Sequence, residues 1–308
     1  MPSSIWMSKA RLCCRGGDPM ELSIITDEVS QQLEEIIRFC RQFDLKAVEL
    51  RSVEGLGAFD FTPGLAQRMR EQFGAAGIKV CSLSLPFYKC EYNDLQTRRQ
   101  HLESLRRSLE LAQILGVKIV RGFCFWRHED APLTEAALCE AYAPVLPLLA
   151  DSGVVMGLEA DPSVNGHTSA ILAGYIRAIG SPSVRAVWDG GNLLFAPDGE
   201  VPVDGYALLK DLICHVHIKD AMKTADGEQA VRVGTGEANI AGQLRLLVRD
   251  GYQGYLSLET HYRLTSEINE ETLRLPGGFS FSDGAAAASA ESMVSLRQLM
   301  REAGIAGY

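Results

Sequence analysis

The sequence lacks any apolar run of the length that a membrane-spanning helix needs, about 18 to 20 residues. It also lacks a P-loop and a G-x-G-x-x-G turn after its first apolar run, so nothing indicates a nucleotide or NAD cofactor. Basic residues are in the minority, since 30 Lys and Arg stand against 39 Asp and Glu and give a net charge of −9. Proteins bind nucleic acid largely by neutralising phosphates with Lys and Arg. We therefore expect neither a membrane nor a nucleic acid as the partner.

No two of the eight cysteines have C-x-x-C spacing, and several lie inside apolar runs, as in Ile213-Cys214-His215. This pattern indicates buried thiols of a reducing compartment rather than a disulfide framework, so we expect a cytoplasmic protein. Residues 1–19 contain no apolar core of a secretory signal and end in a Gly-Gly-Asp-Pro turn. They are predicted to be a disordered extension, with a mildly basic targeting peptide as the alternative.

From Met20 onward, a short apolar run is followed by a helix-like stretch eight times. The predicted strands are residues 22–25, 47–50, 79–85, 117–125, 154–160, 184–188, 213–218 and 255–258. The predicted helices are residues 30–43, 62–76, 94–115, 134–150, 168–179, 205–212, 240–249 and 285–302. The strands are apolar on both faces, as in a buried parallel sheet. Eight such units predict an α/β protein with a single (β/α)₈ TIM barrel, whereas a doubly wound open sheet usually has fewer strands.

No linker rich in Pro, Gly or Ser divides the chain, so residues 20–308 are predicted to form one barrel domain. Residues 263–288 contain Gly-Gly and a run of alanines and are predicted to be an elaborated loop after the eighth strand. In a TIM barrel this loop lies on the active-site face. It is therefore interpreted as a lid or an oligomer contact, or as an insertion without a role.

Four successive strands end in a carboxylate or an imidazole. Glu159 and Asp189 follow the apolar parts of strands five and six, His217 lies in strand seven, and Glu259 follows strand eight. One such residue alone would be an ordinary solvated strand end. Three carboxylates buried together require a neutralising cation. Three oxygen donors with one nitrogen favour Mn²⁺, Mg²⁺ or Co²⁺, with Zn²⁺ also possible, so the sequence predicts one divalent-metal site.

The seventh strand carries two histidines, His215 and His217, which point to the same face because they alternate by two. His217 is nearer the carboxyl end and is predicted to be the ligand. His215 is predicted to lie in a lower layer of the barrel, in its core or behind the ligands.

The chain resembles the xylose isomerase-like barrel superfamily, which contains sugar isomerases, sugar epimerases and inosose dehydratases. The matching segments are ELR at 49–51, LE at 158–159, WDGGN at 188–192, HVHIKD at 215–220, GTGEANI at 234–240 and SLE at 257–259. By this resemblance Glu159, Asp189, His217 and Glu259 fall on the family's metal ligands. Many family epimerases have a histidine three residues after the aspartate of strand six. This chain has Asn192 there, which cannot titrate near neutral pH.

The resemblance implies a metal-dependent isomerase or epimerase of a small carbohydrate or polyol. In such enzymes the ion polarises the substrate carbonyl and stabilises the enediolate that forms when the adjacent proton leaves. In the related sugar epimerases the two ligand glutamates exchange protons with the substrate, so Glu159 and Glu259 would be the acid–base pair. The candidate substrate contacts are Asn192, His167, Lys219, Arg232 and His261.

Three other functions are considered. A metal-dependent dehydratase of an inosose, another keto-polyol or dehydroshikimate would share the first proton abstraction, and product analysis would separate it. An apurinic endonuclease would need more than six histidines and a basic groove. A non-enzymatic sugar-binding barrel would be expected to lose at least one ligand, whereas all four are present. The loops of barrel faces commonly form contacts between subunits, so a homodimer or homotetramer is left open.

Overall fold

The computed structural model describes residues 20–197, 199–224, 227–264, 279–305 and 307, and its centre is a parallel eight-stranded sheet. The strands are β1 (Glu21–Ile24), β2 (Ala47–Leu50), β3 (Lys79–Phe87), β4 (Ile119–Gly122), β5 (Val155–Glu159), β6 (Val184–Asp189), β7 (Ile213–Ile218) and β8 (Tyr255–Leu258). Neighbouring strands pair in chain order, and β8 pairs with β1. A parallel bridge between Ile25 and Glu49 joins β1 to β2. The predicted TIM barrel is confirmed.

Helices cover the outside of the barrel. They are α1 (Leu33–Gln42), α2 (Pro63–Ala75), α3 (Leu95–Leu115), α4 (Glu135–Tyr142), α5 (Val145–Ser152), α6 (Ser169–Ile179), α7 (Gly190–Leu194), α8 (Pro202–Leu209), α9 (Ile240–Arg249) and α10 (Ala285–Glu302). Helix α3 illustrates the local signals, since the Asp94 side chain accepts from the N–H groups of Gln96 and Thr97. It ends at Gly116, whose φ of 73° is easily adopted only by glycine. Among the described helices, none combines the length and apolar character that a membrane span requires.

Proline explains two differences from the predicted elements. Strand β3 continues through Pro86 instead of ending there, because its pairing with β4 is irregular between Leu83 and Phe87 and does not need the missing N–H. Conversely, the predicted helix at 134–150 is two helices, because Pro144 cannot donate the bond that would continue α4. The fourth strand is also shorter than residues 117–125, and α8 begins earlier than predicted, with Pro202 in its first turn.

Two short hairpins at the carboxyl end of the barrel are absent from the sequence prediction. Ser52–Val53 pairs with Leu56–Gly57 after β2, and Asp220–Thr224 pairs with Gly227–Val231 after β7. Of the predicted loop at 263–288, the structure describes residues 263–264 and 279–288, and α10 begins at Ala285. The predicted extension at residues 1–19 lies outside the described residues.

Candidate metal centre and active site

The four side chains predicted as metal ligands lie together at the carboxyl end of the barrel. Glu159 and Asp189 end β5 and β6, His217 is opposite Asp189 in the pairing of β6 with β7, and Glu259 follows β8. One ligand atom from each residue lies within 4.8 Å of the others, and all four residues are buried. The alignment of parallel strands at one end of a barrel therefore brings together residues that are up to 100 positions apart in the chain.

One imidazole nitrogen faces all three carboxylates. His217 Nδ1 lies 2.7 Å from Glu159 Oε1, 3.4 Å from Glu259 Oε2 and 3.9 Å from Asp189 Oδ2. Burial raises the pKa of Asp189 to about 7, and Glu259 and Glu159 add to this rise although Lys219 opposes it. Asp189 Oδ2 accepts no hydrogen bond within the protein, although it forms an ion pair with Lys219 Nζ at 3.0 Å. This excess of buried negative charge and the oxygen-rich donor set both fit a divalent cation.

Glu49, at the inner side of the cluster, fixes the imidazole of His217. Its Oε1 lies 3.3 Å from His217 Nε2, while its Oε2 lies 2.7 Å from His215 Nε2. Burial alone would raise the pKa of Glu49, but His215 and His217 hold it well below its usual range. Ser84 Oγ donates to the same carboxylate, and Ser257 Oγ lies 3.0 Å from His215 Nε2. His215 therefore lies behind the four residues, where the sequence prediction put it.

Glu49→Gln is expected to weaken divalent-ion binding by about 10- to 100-fold, the usual effect of losing a carboxylate that orients a ligand histidine. The amide has one oxygen, so it cannot accept from both imidazoles. Titration with Mn²⁺, followed by the electron paramagnetic resonance signal of the free ion, measures the dissociation constant. Ser84→Ala is the control, because it removes only one bond to the carboxylate. Equal affinities of the Glu49→Gln variant and the wild type would refute this role of Glu49.

Arginines anchor the two glutamates that were predicted as the acid–base pair. Arg121 Nη1 lies 3.0 Å from Glu159 Oε2, and Arg51 Nη1 pairs with Glu259 Oε1. Arg51 also contacts Asp27 Oδ2 and Glu28 Oε1, each at 2.9 Å. These arginine partners were not predicted from the sequence. The sequence contains one indication of them, since Arg121 lies inside an apolar strand. A buried guanidinium needs a carboxylate partner.

Three of the five predicted substrate contacts lie at the cluster. Lys219 Nζ is 2.9 Å from Glu259 Oε2, and it donates to Asn192 Oδ1 at 3.0 Å. His261 Nε2 is 3.3 Å from Glu259 Oε1, and its ring stacks on Phe281 with a centroid separation of 4.6 Å.

The other two predicted contacts lie elsewhere. His167 lines a separate open cavity of about 480 Å³ beside Arg127 and Tyr175, and none of the four predicted ligands lines that cavity. Arg232 is exposed, and its guanidinium lies 3.2 Å from Ser295 Oγ on α10. The structure thus does not bring these two side chains to the cluster.

Asp220 shapes the glycine-rich turn instead of contacting the cluster. Its carboxylate accepts hydrogen bonds from the backbone N–H groups of Gly234, Gly236 and Ala238. A Cβ at Gly236 would lie 2.4 Å from Asp220 Oδ1, so this turn requires glycine at that position. The HVHIKD segment therefore serves two purposes, because Lys219 joins the cluster while Asp220 holds the neighbouring loop.

The fold and the buried acidic cluster place the protein among TIM barrels that carry a potential metal centre at the carboxyl ends of their strands. A family model described as xylose isomerase-like TIM barrel matches residues 37–299, and the chain belongs to this family. No curated protein sequence matches the chain significantly.

Several solved structures share the fold. A xylose isomerase domain protein from Planctomyces limnophilus is 17% identical with a TM-score of 0.70, covering 94% of this chain and 99% of its own. The D-allulose 3-epimerase from Methylomonas sp., in complex with D-allulose, is 15% identical with a TM-score of 0.68, covering 91% and 97%. The IolI protein with a bound zinc atom is 16% identical with a TM-score of 0.66, covering 90% and 99%. Relatives of this fold thus include sugar epimerases.

Proposed function

We propose that the protein is a divalent-metal-dependent isomerase or epimerase of a small carbohydrate or polyol. The observation that carries this proposal is the convergence of Glu159, Asp189, His217 and Glu259, with one ligand atom of each within 4.8 Å of the others. The D-allulose complex of one structural neighbour and the zinc atom of another support the same interpretation. Mn²⁺, Mg²⁺ or Co²⁺ suits three carboxylates and one imidazole best, although Zn²⁺ is also compatible.

A divalent ion held by the four residues would polarise the substrate carbonyl and stabilise an enediolate. The protein itself supplies the proton acceptors. Glu159 and Glu259 extend from β5 and β8, so they approach the cluster from different sides of the barrel. In each glutamate an arginine contacts one oxygen, while the other oxygen faces His217. This arrangement suits two carboxylates that remove and return a proton on opposite faces of one substrate carbon.

Aromatic rings pack against the cations that anchor the two glutamates. Phe281 stacks on His261, and the Arg51 guanidinium lies 4.6 Å from the centre of the Phe281 ring. On the opposite side the Arg121 guanidinium lies 4.9 Å from the centre of the Phe123 ring. We propose that these rings exclude water from the site, which would strengthen the electrostatic interactions within it and protect a reactive intermediate from side reactions.

Solvent deuterium exchange tests the proposal. The protein is incubated with Mn²⁺ in D₂O with a panel of ketoses, inososes and dehydroshikimate, and the substrates are followed by nuclear magnetic resonance and mass spectrometry. Deuterium at one carbon together with an isomeric product is expected. An unsaturated product would identify the alternative, a metal-dependent dehydratase. Absence of exchange with every compound would contradict both.

We also propose that the protein acts in the cytoplasm. The six cysteines within the described residues are thiols that take part in no disulfide, and five of them are buried. Burial raises the pKa of Cys40 to about 12, so this thiol is unreactive at neutral pH. Unpaired, buried thiols are typical of proteins from reducing compartments.

A further inference from the structure

The ammonium group of Lys219 is enclosed by three oxygens. Nζ lies 2.9 Å from Glu259 Oε2, 3.0 Å from Asp189 Oδ2 and 3.0 Å from Asn192 Oδ1. Nζ donates hydrogen bonds to Glu259 Oε2 and Asn192 Oδ1, whereas its contact with Asp189 Oδ2 is an ion pair. Gly191 makes room for this placement, because a Cβ there would lie 2.9 Å from Lys219 Cγ.

Two of these three oxygens are also the ones that the proposed ion would use. Asp189 Oδ2 and Glu259 Oε2 are the oxygens of those residues that approach His217 Nδ1. A divalent ion held by the cluster and the Lys219 ammonium would therefore compete for the same two atoms. They would also repel each other, since both are positive and the side chains around them are buried.

Lys219 is buried and forms ion pairs with two carboxylates, which compensate the positive charge of its ammonium. Asn192 fixes the direction of the side chain, because its Nδ2 donates to the carbonyl oxygen of Ala160 at 3.0 Å while its Oδ1 accepts from Lys219. The amide of Asn192 is thus held by one protein contact at its nitrogen and one at its oxygen.

We propose that Lys219 is a resident counter-cation that a divalent ion displaces from Asp189 and Glu259. Ion binding then removes both carboxylate partners of the ammonium, while its hydrogen bond to Asn192 remains. The N–H donors released in this way need new acceptors in a buried site, and the oxygens of a polyol substrate supply them. Lys219 thereby makes substrate binding depend on the ion. This inference rests on the proposed function, because it assumes an ion at the four residues.

The inference is tested by whether removal of the Lys219 charge strengthens or weakens the binding of a divalent ion. Lys219→Met keeps the length of the side chain and removes its charge, so the metal-free variant should bind Mn²⁺ at least about tenfold more tightly than the wild type. The signal of free Mn²⁺ in electron paramagnetic resonance measures the affinity without reference to activity. Lys89→Met is the matched control, since Lys89 is a partly buried lysine that pairs with Asp161 at 2.8 Å. Its affinity for Mn²⁺ should equal that of the wild type.

A second measurement tests whether Lys219 makes substrate binding depend on the ion. Calorimetry with D-allulose as the probe should show ion-dependent binding to the wild type and a loss of that dependence in Lys219→Met. Unchanged or weaker Mn²⁺ binding by this variant, with normal binding by the wild type, would overturn the inference and leave the proposed function standing. Absence of Mn²⁺ binding by the wild type would overturn both. Lys219→Gln provides the same comparison if the methionine variant does not fold.

Discussion

Replacement of Glu159 or Glu259 by glutamine is expected to lower kcat by about 10²- to 10⁴-fold at saturating Mn²⁺, the usual contribution of a general acid or base. Glutamine keeps the shape of the side chain and its contact with Arg121 or Arg51, but it cannot take up a proton. Steady-state kinetics with the substrate found by the exchange experiment measure this loss. Asp161→Asn is the control, because Asp161 follows Glu159 by two residues in the chain but pairs with Lys89. Its kcat should remain close to that of the wild type.

The two glutamine variants should also differ from each other. If each glutamate serves one epimer, Glu159→Gln retains solvent exchange with one epimer and Glu259→Gln retains it with the other. Mass spectrometry of each epimer after incubation in D₂O detects this asymmetry. Full turnover in both variants would show that the acid–base assignment is wrong.

Arg51→Met is expected to lower the free energy of unfolding by about 3–5 kcal/mol, the effect of removing one partner from a buried ion pair. The Arg51 side chain is 5% exposed, and its loss leaves Asp27 and Glu28 buried with less positive charge beside them. Urea denaturation of the metal-free proteins measures the change. Arg68→Met is the matched control, since Arg68 pairs with Glu54 at a largely exposed position and should cost less than about 1 kcal/mol. Equal losses in the two variants would contradict the structural role of Arg51.

The strand ends explain why much of the site is predictable from the sequence. In a barrel of parallel strands, a polar residue that ends an apolar run lies at the carboxyl end of the barrel, where the active site is found. Glu159, Asp189 and Glu259 are therefore found by counting strands, and the alternation of strand residues selects His217 over His215 as the one nearer the mouth. The four residues lie close together because the barrel closes.

The supporting charges could not be found in this way. Arg51 contacts Glu259 although they are 208 positions apart, and both follow strands that do not pair with each other. Such contacts depend on the length of each side chain and on which cation fits beside the carboxylate. The hydrophobic periodicity of the sequence gives no information about either. The loop residues His167 and Arg232 illustrate the same limit, because the path of a loop is not fixed by the strand that precedes it. Prediction from the sequence therefore identifies the carboxylates better than their partners.

Binding of Mn²⁺ to metal-free protein is the most direct test that the barrel mouth holds a divalent ion. Equilibrium dialysis of the wild type should give one tightly bound ion per chain. Asp189→Asn keeps the oxygen that caps α7 through the N–H of Asn192 but removes the charge, and it should abolish tight binding. Asp161→Asn should retain the bound ion. A wild type that binds no ion, or an Asp189→Asn variant that binds one as tightly, would contradict the account.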